Sequence, residues 1–364
     1  MNEDEIEATL KDLPPSSKFV YKTLAQHGPM TLKGLTEETL LSSRTARYGL
    51  DQLEEVGLIE SAPALHDGRQ TCYSLRHGTG PHGEYAQRAL VDAEWVEDHL
   101  AEFEEDDPEY RLVAVDEAYE EGHIPGAVEL DPMETLVYPD RAGIPDREQF
   151  EQIVGQRGIT EDSTVVVYSD GINEFAALAY WTFKYYRHSD VRILNGGKRY
   201  WSENGHPTTL TRPSITPQTY HAQEPHERIR AYRSDVQAAL AGETTIVDVR
   251  TAGEYRGEQR APEDGVPTAR VAGRIPNSVH VEWTEVVNDA WQFKRRHQLE
   301  RLFRTEGVEE DDDLIVYCNV GERAALVWFV LSELLGYRNV ANYDGSWAEW
   351  GNLIDAPIET GNPE

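Results

Sequence analysis

Apolar and polar positions along the first eighty residues predict three helices followed by a hairpin. In PSSKFVYKTLAQHGPM, Val20 and Leu24 recur at helical spacing, and Gly28-Pro29 stops the run. TLKGLTEETL predicts a second, short helix. SSRTARYGLDQLEEVGLI predicts a third, capped by Ser42 or Ser43, with Tyr48, Leu50, Leu53 and Val56 facing inward. LIESAPALHDGRQTCYSL then reads as two strands around an Asp67-Gly68 turn.

Beyond this block the pattern changes. Short apolar runs such as TVVVY, TTIVDVR and LIVYC alternate with helical patterns, which predicts parallel sheets covered by helices, an α/β architecture. The pattern also repeats. GHIPGAVEL from Gly122 returns as GRIPNSVHV from Gly273, TVVVYSDGINEFAALAYW returns as DLIVYCNVGERAALVWF, and NGGKRYW from Asn195 returns as DGSWAEW from Asp344. Three matches in one order at nearly constant spacing indicate two copies of one module. The Pro- and Thr-rich stretch from His206 to Pro225 has no apolar periodicity and reads as the connection between them. The expected domains are residues 1–80, 84–212 and 213–360.

Composition refines this picture. The 364 residues carry 66 acidic and 34 basic side chains, a net charge of −32 spread along the chain, as in a protein adapted to a salty cytoplasm. Residues 1–80 hold 12 acids and 8 bases, near −4, against −28 for the remainder, so this block suits either a nucleic-acid surface or one for dimerisation or protein contact. Two cysteines build no disulfide framework, no 18-residue apolar run is present, and the acidic N-terminus lacks a signal-peptide core. A cytoplasmic protein with no membrane contact is expected. Cys72 falls in a predicted strand and is expected to be buried and inert.

Cys318 stands apart, between the apolar strand Leu314–Tyr317 and an apolar helical pattern predicted from about Ala324. A thiol in a loop that wraps into a helix N-terminus faces backbone N–H groups and the positive end of the helix, the setting of a nucleophile. The loop Asn319, Val320, Gly321, Glu322 and Arg323 supplies a glycine for the curl and an arginine for an anion. Ser169 stands in the equivalent place of the first copy, which therefore has no nucleophile. Nothing in the pattern requires a metal or an organic cofactor.

The tandem layout resembles the two-domain rhodanese family, the thiosulfate and 3-mercaptopyruvate sulfurtransferases. The likeness spans roughly Tyr85 to the C-terminus and rests on DVRTAGEYRG, GRIPNSVHVEW, YCNVGERA, DGSWAEWG and, in the first copy, EGHIPGAV and LNGGKRYWSENGHP. The resemblance implies that the second domain is catalytic, the first a degenerate copy, and Cys318 the carrier of a persulfide. It makes Asp248 and Arg250 an ion-paired support of the loop. Related phosphatases place an arginine six positions after the cysteine; here Arg323 lies five positions on, as in the sulfurtransferases. Several family members have a donor-binding arginine where this chain has Glu254, so one anion contact is lost. Arg274 supplies a compensating charge or is an exposed turn residue, Trp283, Trp347 and Trp350 wall the pocket or belong to the core, and Asp170 and Glu174 are expected to be solvated. The loop resembles the thiosulfate group more than the mercaptopyruvate group. The acceptor is cyanide, a small thiol or a sulfur-carrier protein.

Residues 1–80 resemble a winged helix-turn-helix domain, in which Arg44, Arg47 and Arg69 would contact DNA. This leaves a second class open, a DNA-binding regulator that senses sulfur or oxidants through Cys318.

Overall fold

Ser42 opens the third helix of the N-terminal unit, its hydroxyl accepting the Thr45 N–H at 3.2 Å. The computed structural model describes residues 9–362 apart from 12, 28–29, 40, 57, 65–66, 76–84, 86–88, 117, 138–142 and 261–268. Contacts divide the chain into residues 1–86 and 87–364. In the first unit, helices Pro15–His27, Leu32–Thr39 and Ser43–Glu55 accompany a three-stranded antiparallel sheet. Its strands are β1 (Met30–Thr31), β2 (Ile59–Ala64) and β3 (Asp67–Leu75), in the order β1-β3-β2. The two-residue β1 was not foreseen, being too short to show a period.

Val20, Leu24, Leu35, Leu50 and Leu53 form the core of this unit. Tyr48, expected to face inward, is 51% exposed. The buried positions Ala46, Leu50 and Leu53 follow the i, i+4, i+7 stripe, and Tyr48 falls on the opposite side of the helix. The side chains of Arg69 and Cys72 lie outside the described residues, so the expectations for them are not met with an observation.

The second unit holds two parallel sheets. The first has β4 (Leu90–Val91), β5 (Tyr110–Ala114), β6 (Val128–Glu129), β7 (Thr164–Tyr168) and β8 (Val191–Leu194), in the order β4-β8-β7-β5-β6. The second has β9 (Thr245–Asp248), β10 (Val279–His280), β11 (Leu314–Tyr317) and β12 (Val340–Asn342), in the order β10-β9-β11-β12. The orders coincide once the single bridge between Arg230 and Asn342 is set against the β4–β8 pairing. The internal repeat is thus a repeat of structure. After Thr164, the central strands β7 and β11 are runs of buried apolar and tyrosine residues, as strands covered on both faces are.

Helices Glu174–Tyr185 and Glu322–Phe329, each following a central strand, pack on one another. Tyr180 meets Phe329 edge to face, with centroids 4.8 Å apart. Each copy therefore buries its most apolar helix against the other. The 206–225 connection has no regular structure but is fastened at several points. Thr209 bridges to His123, Arg212 pairs with Glu129 at 2.8 Å, and the Thr216 hydroxyl donates to Asp106 at 2.6 Å.

Candidate active site around Cys318

Strand β11 delivers Cys318 at its C-terminal end, where parallel sheets place their functional loops. The loop is shorter than expected. Four residues, Cys318 to Gly321, precede a helix that starts at Glu322 rather than near Ala324. Gly321 has φ +101°, and a Cβ there would lie 3.0 Å from the Asp344 Cα, so conformation and space both select glycine. This turn aims the Gly321 N–H at the Cys318 Sγ, 3.1 Å away. The Ala324 N–H also faces the sulfur. The Cys318 N–H donates to the Ser346 hydroxyl at 3.0 Å. The sulfur therefore sits in a nest of backbone donors. Of the six residues Cys318 to Arg323, only Val320 is more than slightly exposed.

The electrostatics differ from expectation. The helix end and its N–H groups imply an eased ionisation, yet the thiol is pushed up to about 12. Burial is the largest cause, and the Glu322 carboxylate, with Oε2 accepting from Sγ at 3.4 Å, adds to it. Arg323 and the loop N–H groups pull the other way and are outweighed. Arg323 is itself engaged. Its guanidinium donates to both Glu254 oxygens, at 2.9 and 3.2 Å, and its Nε to Glu322 Oε1 at 3.2 Å. Burial alone would raise the Glu254 carboxyl, but Arg323 and Thr251 hold it below its ordinary value. Glu254, read from sequence only as a missing arginine, is the partner of the loop's own arginine.

Beneath the loop, Asp248 and Arg250 are buried and paired, with Arg250 Nη2 2.6 Å from Asp248 Oδ2. Tyr317 donates its hydroxyl to the same Oδ2 at 2.5 Å and accepts the Ile275 N–H at 3.1 Å. The Arg250 guanidinium also lies 4.6 Å from the Trp347 ring centre. Trp347 belongs to the core, its indole donating to the Val271 carbonyl at 3.0 Å and its main-chain N–H to the Cys318 carbonyl at 3.0 Å. Trp350 is fully buried in that core, and Trp283 is half-buried.

Two expectations need correction. Arg274 is no exposed turn residue. It is 4% exposed, donates to the Gly361 carbonyl at 2.7 Å, pairs with Glu359 at 3.2 Å and lies over Tyr255. It fastens the C-terminal segment. Glu174 is not solvated like Asp170. It is half-buried, and burial first, then the charges of Glu322 and Asp170, push its carboxyl up to about 7, against accepted N–H bonds including that of Ile172. The pairing of the two helices adds to the effect of burial by bringing Glu174, first in one helix, under the influence of Glu322, first in the other.

The first copy's loop, Ser169 to Asn173, is one residue longer, and its helix begins at Glu174. Phe175 stands where the second copy has Arg323. Asn173 fills the turn, its Oδ1 accepting the Ser169 N–H at 3.0 Å and its Nδ2 donating to the Leu194 carbonyl at 2.8 Å. Among the described residues no three His, Cys, Asp or Glu side chains gather as a metal site, and no helix is long and apolar enough to cross a membrane.

Two parallel α/β copies, one with a cysteine cradled between strand and helix, define a tandem rhodanese-like protein. The rhodanese-like domain model matches residues 92–204 and again 233–353, and the chain belongs to that family. A Haloferax volcanii protein that bears the provisional name thiosulfate sulfurtransferase is 49% identical over 282 residues, 77% of this chain and 99% of that protein. The sulfur carrier protein TtuD of Thermus thermophilus is 42% identical over 280 residues, 75% of this chain and 96% of TtuD. Among solved structures, the anaerobic ergothioneine biosynthesis enzyme of Chlorobium limicola, in complex with trimethyl histidine, matches with a TM-score of 0.68 and 27% identity. That match covers 78% of this chain and 71% of the enzyme. Family and relatives support sulfur transfer as the class of chemistry.

Proposed function

We propose that the protein is a sulfurtransferase in which Cys318 takes the outer sulfur of thiosulfate as a persulfide and hands it to cyanide or a thiol. The observation that carries this reading is the sulfur of Cys318 facing the N–H groups of Gly321 and Ala324 at the start of a helix, in the copy that retains a cysteine. The Cys318 sulfur attacks the outer sulfur of thiosulfate, and a new S–S bond forms as the bond to the sulfonate sulfur breaks. Sulfite departs with the electron pair and, taking up the thiol proton, becomes hydrogensulfite. The negative outer sulfur of the persulfide is then stabilised by the loop N–H groups. A second nucleophile attacks that outer sulfur and Cys318 leaves as thiolate, which is reprotonated. A relative named as a sulfur carrier protein supports a sulfur-carrier partner in the cell.

The test mixes the protein in high salt with thiosulfate and cyanide and follows thiocyanate, beside Cys318→Ser. Turnover lost in the variant, with a mass gain of one sulfur atom on the wild type after thiosulfate alone, is expected. A folded wild type that gains no sulfur overturns the reading for thiosulfate, and mercaptopyruvate is then the donor to try.

Arg44 and Arg47, both exposed near the start of helix Ser43–Glu55, support a second reading in which residues 1–80 bind DNA and Cys318 reports sulfur status. Anisotropy with labelled duplex selected from a random pool, before and after sulfur loading of Cys318, tests it. Binding lost in an Arg44→Ala, Arg47→Ala double variant is expected; binding equal in both proteins rejects it.

A further inference from the structure

The guanidinium of Arg323 meets two buried carboxylates, Glu254 across the domain and Glu322 beside it in sequence. The Glu254 contact is bidentate, the strongest geometry an arginine offers. Glu254 is itself fixed, its Oε2 accepting both the N–H and the hydroxyl of Thr251, at 3.1 and 2.9 Å. One cation against two anions leaves this cluster at a formal charge of −1 beside a neutral thiol. That is a poor surrounding for a dianion. An oxyanion that is to use Arg323 must first take the guanidinium from Glu254.

We infer that Glu254 is a positioning residue that competes with the sulfonate of an oxyanion-bearing donor for Arg323, and so sets how well such a donor is used. This rests on the sulfur-transfer reading of Cys318 and adds the residue that limits how tightly its proposed donor, thiosulfate, is held. A donor without an oxyanion, such as an alkyl persulfide with an uncharged tail, reaches Cys318 with the clamp closed. In that reaction Cys318 attacks the terminal sulfur, the new S–S bond forms as the old one breaks, and the departing thiolate takes up the Cys318 proton. Glu254 leaves this reaction untouched, because no charge has to be seated on Arg323.

Glu254→Gln separates the two cases. It removes a charge but keeps the shape, and Arg323 keeps Glu322 as its counterion, so the buried cation is not orphaned. Steady-state kinetics with thiosulfate and with the persulfide of 2-mercaptoethanol, each with cyanide as acceptor, are compared in wild type and variant. The KM for thiosulfate is expected to fall on the order of tenfold, the weight of one charge-assisted contact. The KM for the persulfide and both kcat values are expected to stay within about twofold. Thr251→Ala, which loosens Glu254 without removing its charge, is expected to move the thiosulfate KM in the same direction by less. A thiosulfate KM that is unchanged or higher in both variants overturns the inference, as does an equal change for both donors. Failure of the underlying reading looks different: no sulfur is gained by Cys318 in any variant with either donor.

Discussion

The Glu322 carboxylate lies 3.4 Å from the Cys318 sulfur and accepts a hydrogen bond from it, and burial together with this negative charge keeps Cys318 a neutral thiol. Glu322→Gln removes the like charge and is expected to bring the thiol down from about 12. Alkylation of Cys318 by iodoacetamide at neutral pH should then quicken roughly tenfold, about one pH unit of added thiolate. An unchanged pH profile of alkylation would mean that burial alone sets the thiol. The folded protein holds this proton more tightly than the unfolded chain does. The stability it contributes is therefore complete below about pH 9 and is lost as pH rises toward about 12.

Tyr317 bridges strand and support. Tyr317→Phe takes one hydrogen bond from Asp248 and leaves the buried Ile275 N–H without that acceptor. A loss of about 1–3 kcal/mol is expected, seen as a lower denaturant midpoint. Asp248→Ala should cost more, about 3–5 kcal/mol, because Arg250 is then a buried cation without its carboxylate. Equal costs for the two variants would place the support elsewhere.

Gly321→Ala meets both a positive φ and the Asp344 backbone. The backbone alone costs about 1–2 kcal/mol. The larger effect is expected on turnover, since relief of the contact moves the N–H that points at the sulfur. Activity that survives while the melting temperature falls would show that this N–H is dispensable.

Glu174 gives a pH signature of its own. Its carboxyl is raised from 4.5 to about 7 in the fold, so its protonated form is the one the fold prefers. That contribution is complete below about pH 4.5 and is lost by about pH 7. Glu174→Gln is therefore expected to stabilise the protein above about pH 7 and to make little difference near pH 4.5, as read from urea midpoints. A stabilisation equal at both pH values would point to packing instead of charge.

Much of this was legible in the chain. The order Leu314–Tyr317, cysteine, glycine, apolar helix announces a strand, a tight loop and a helix within a few residues, and the repeat announces its own partner copy. What escaped was non-local. Glu254 and Arg323 are 69 positions apart, and their pairing depends on how the helices after β9 and β11 meet. The environment of Glu174 depends on a helix of the other copy. Arg274 looked like a turn residue because its acceptors, at Gly361 and Glu359, arrive from the far end of the chain. Even Tyr48 was misread on one helix, where its apolar ring was assigned to the inner stripe although its angular position belongs to the outer one.

The extra residue in the Ser169 loop gives the two copies different futures. A cysteine at Ser169 would have no cation beside it, because Phe175 stands where the second copy has Arg323, and its loop would still carry the extra residue that Asn173 fills. Nucleophile, loop length and cation all differ at once between the copies, so the first contributes its helix Glu174–Tyr185 as a packing partner for the second and no thiol of its own.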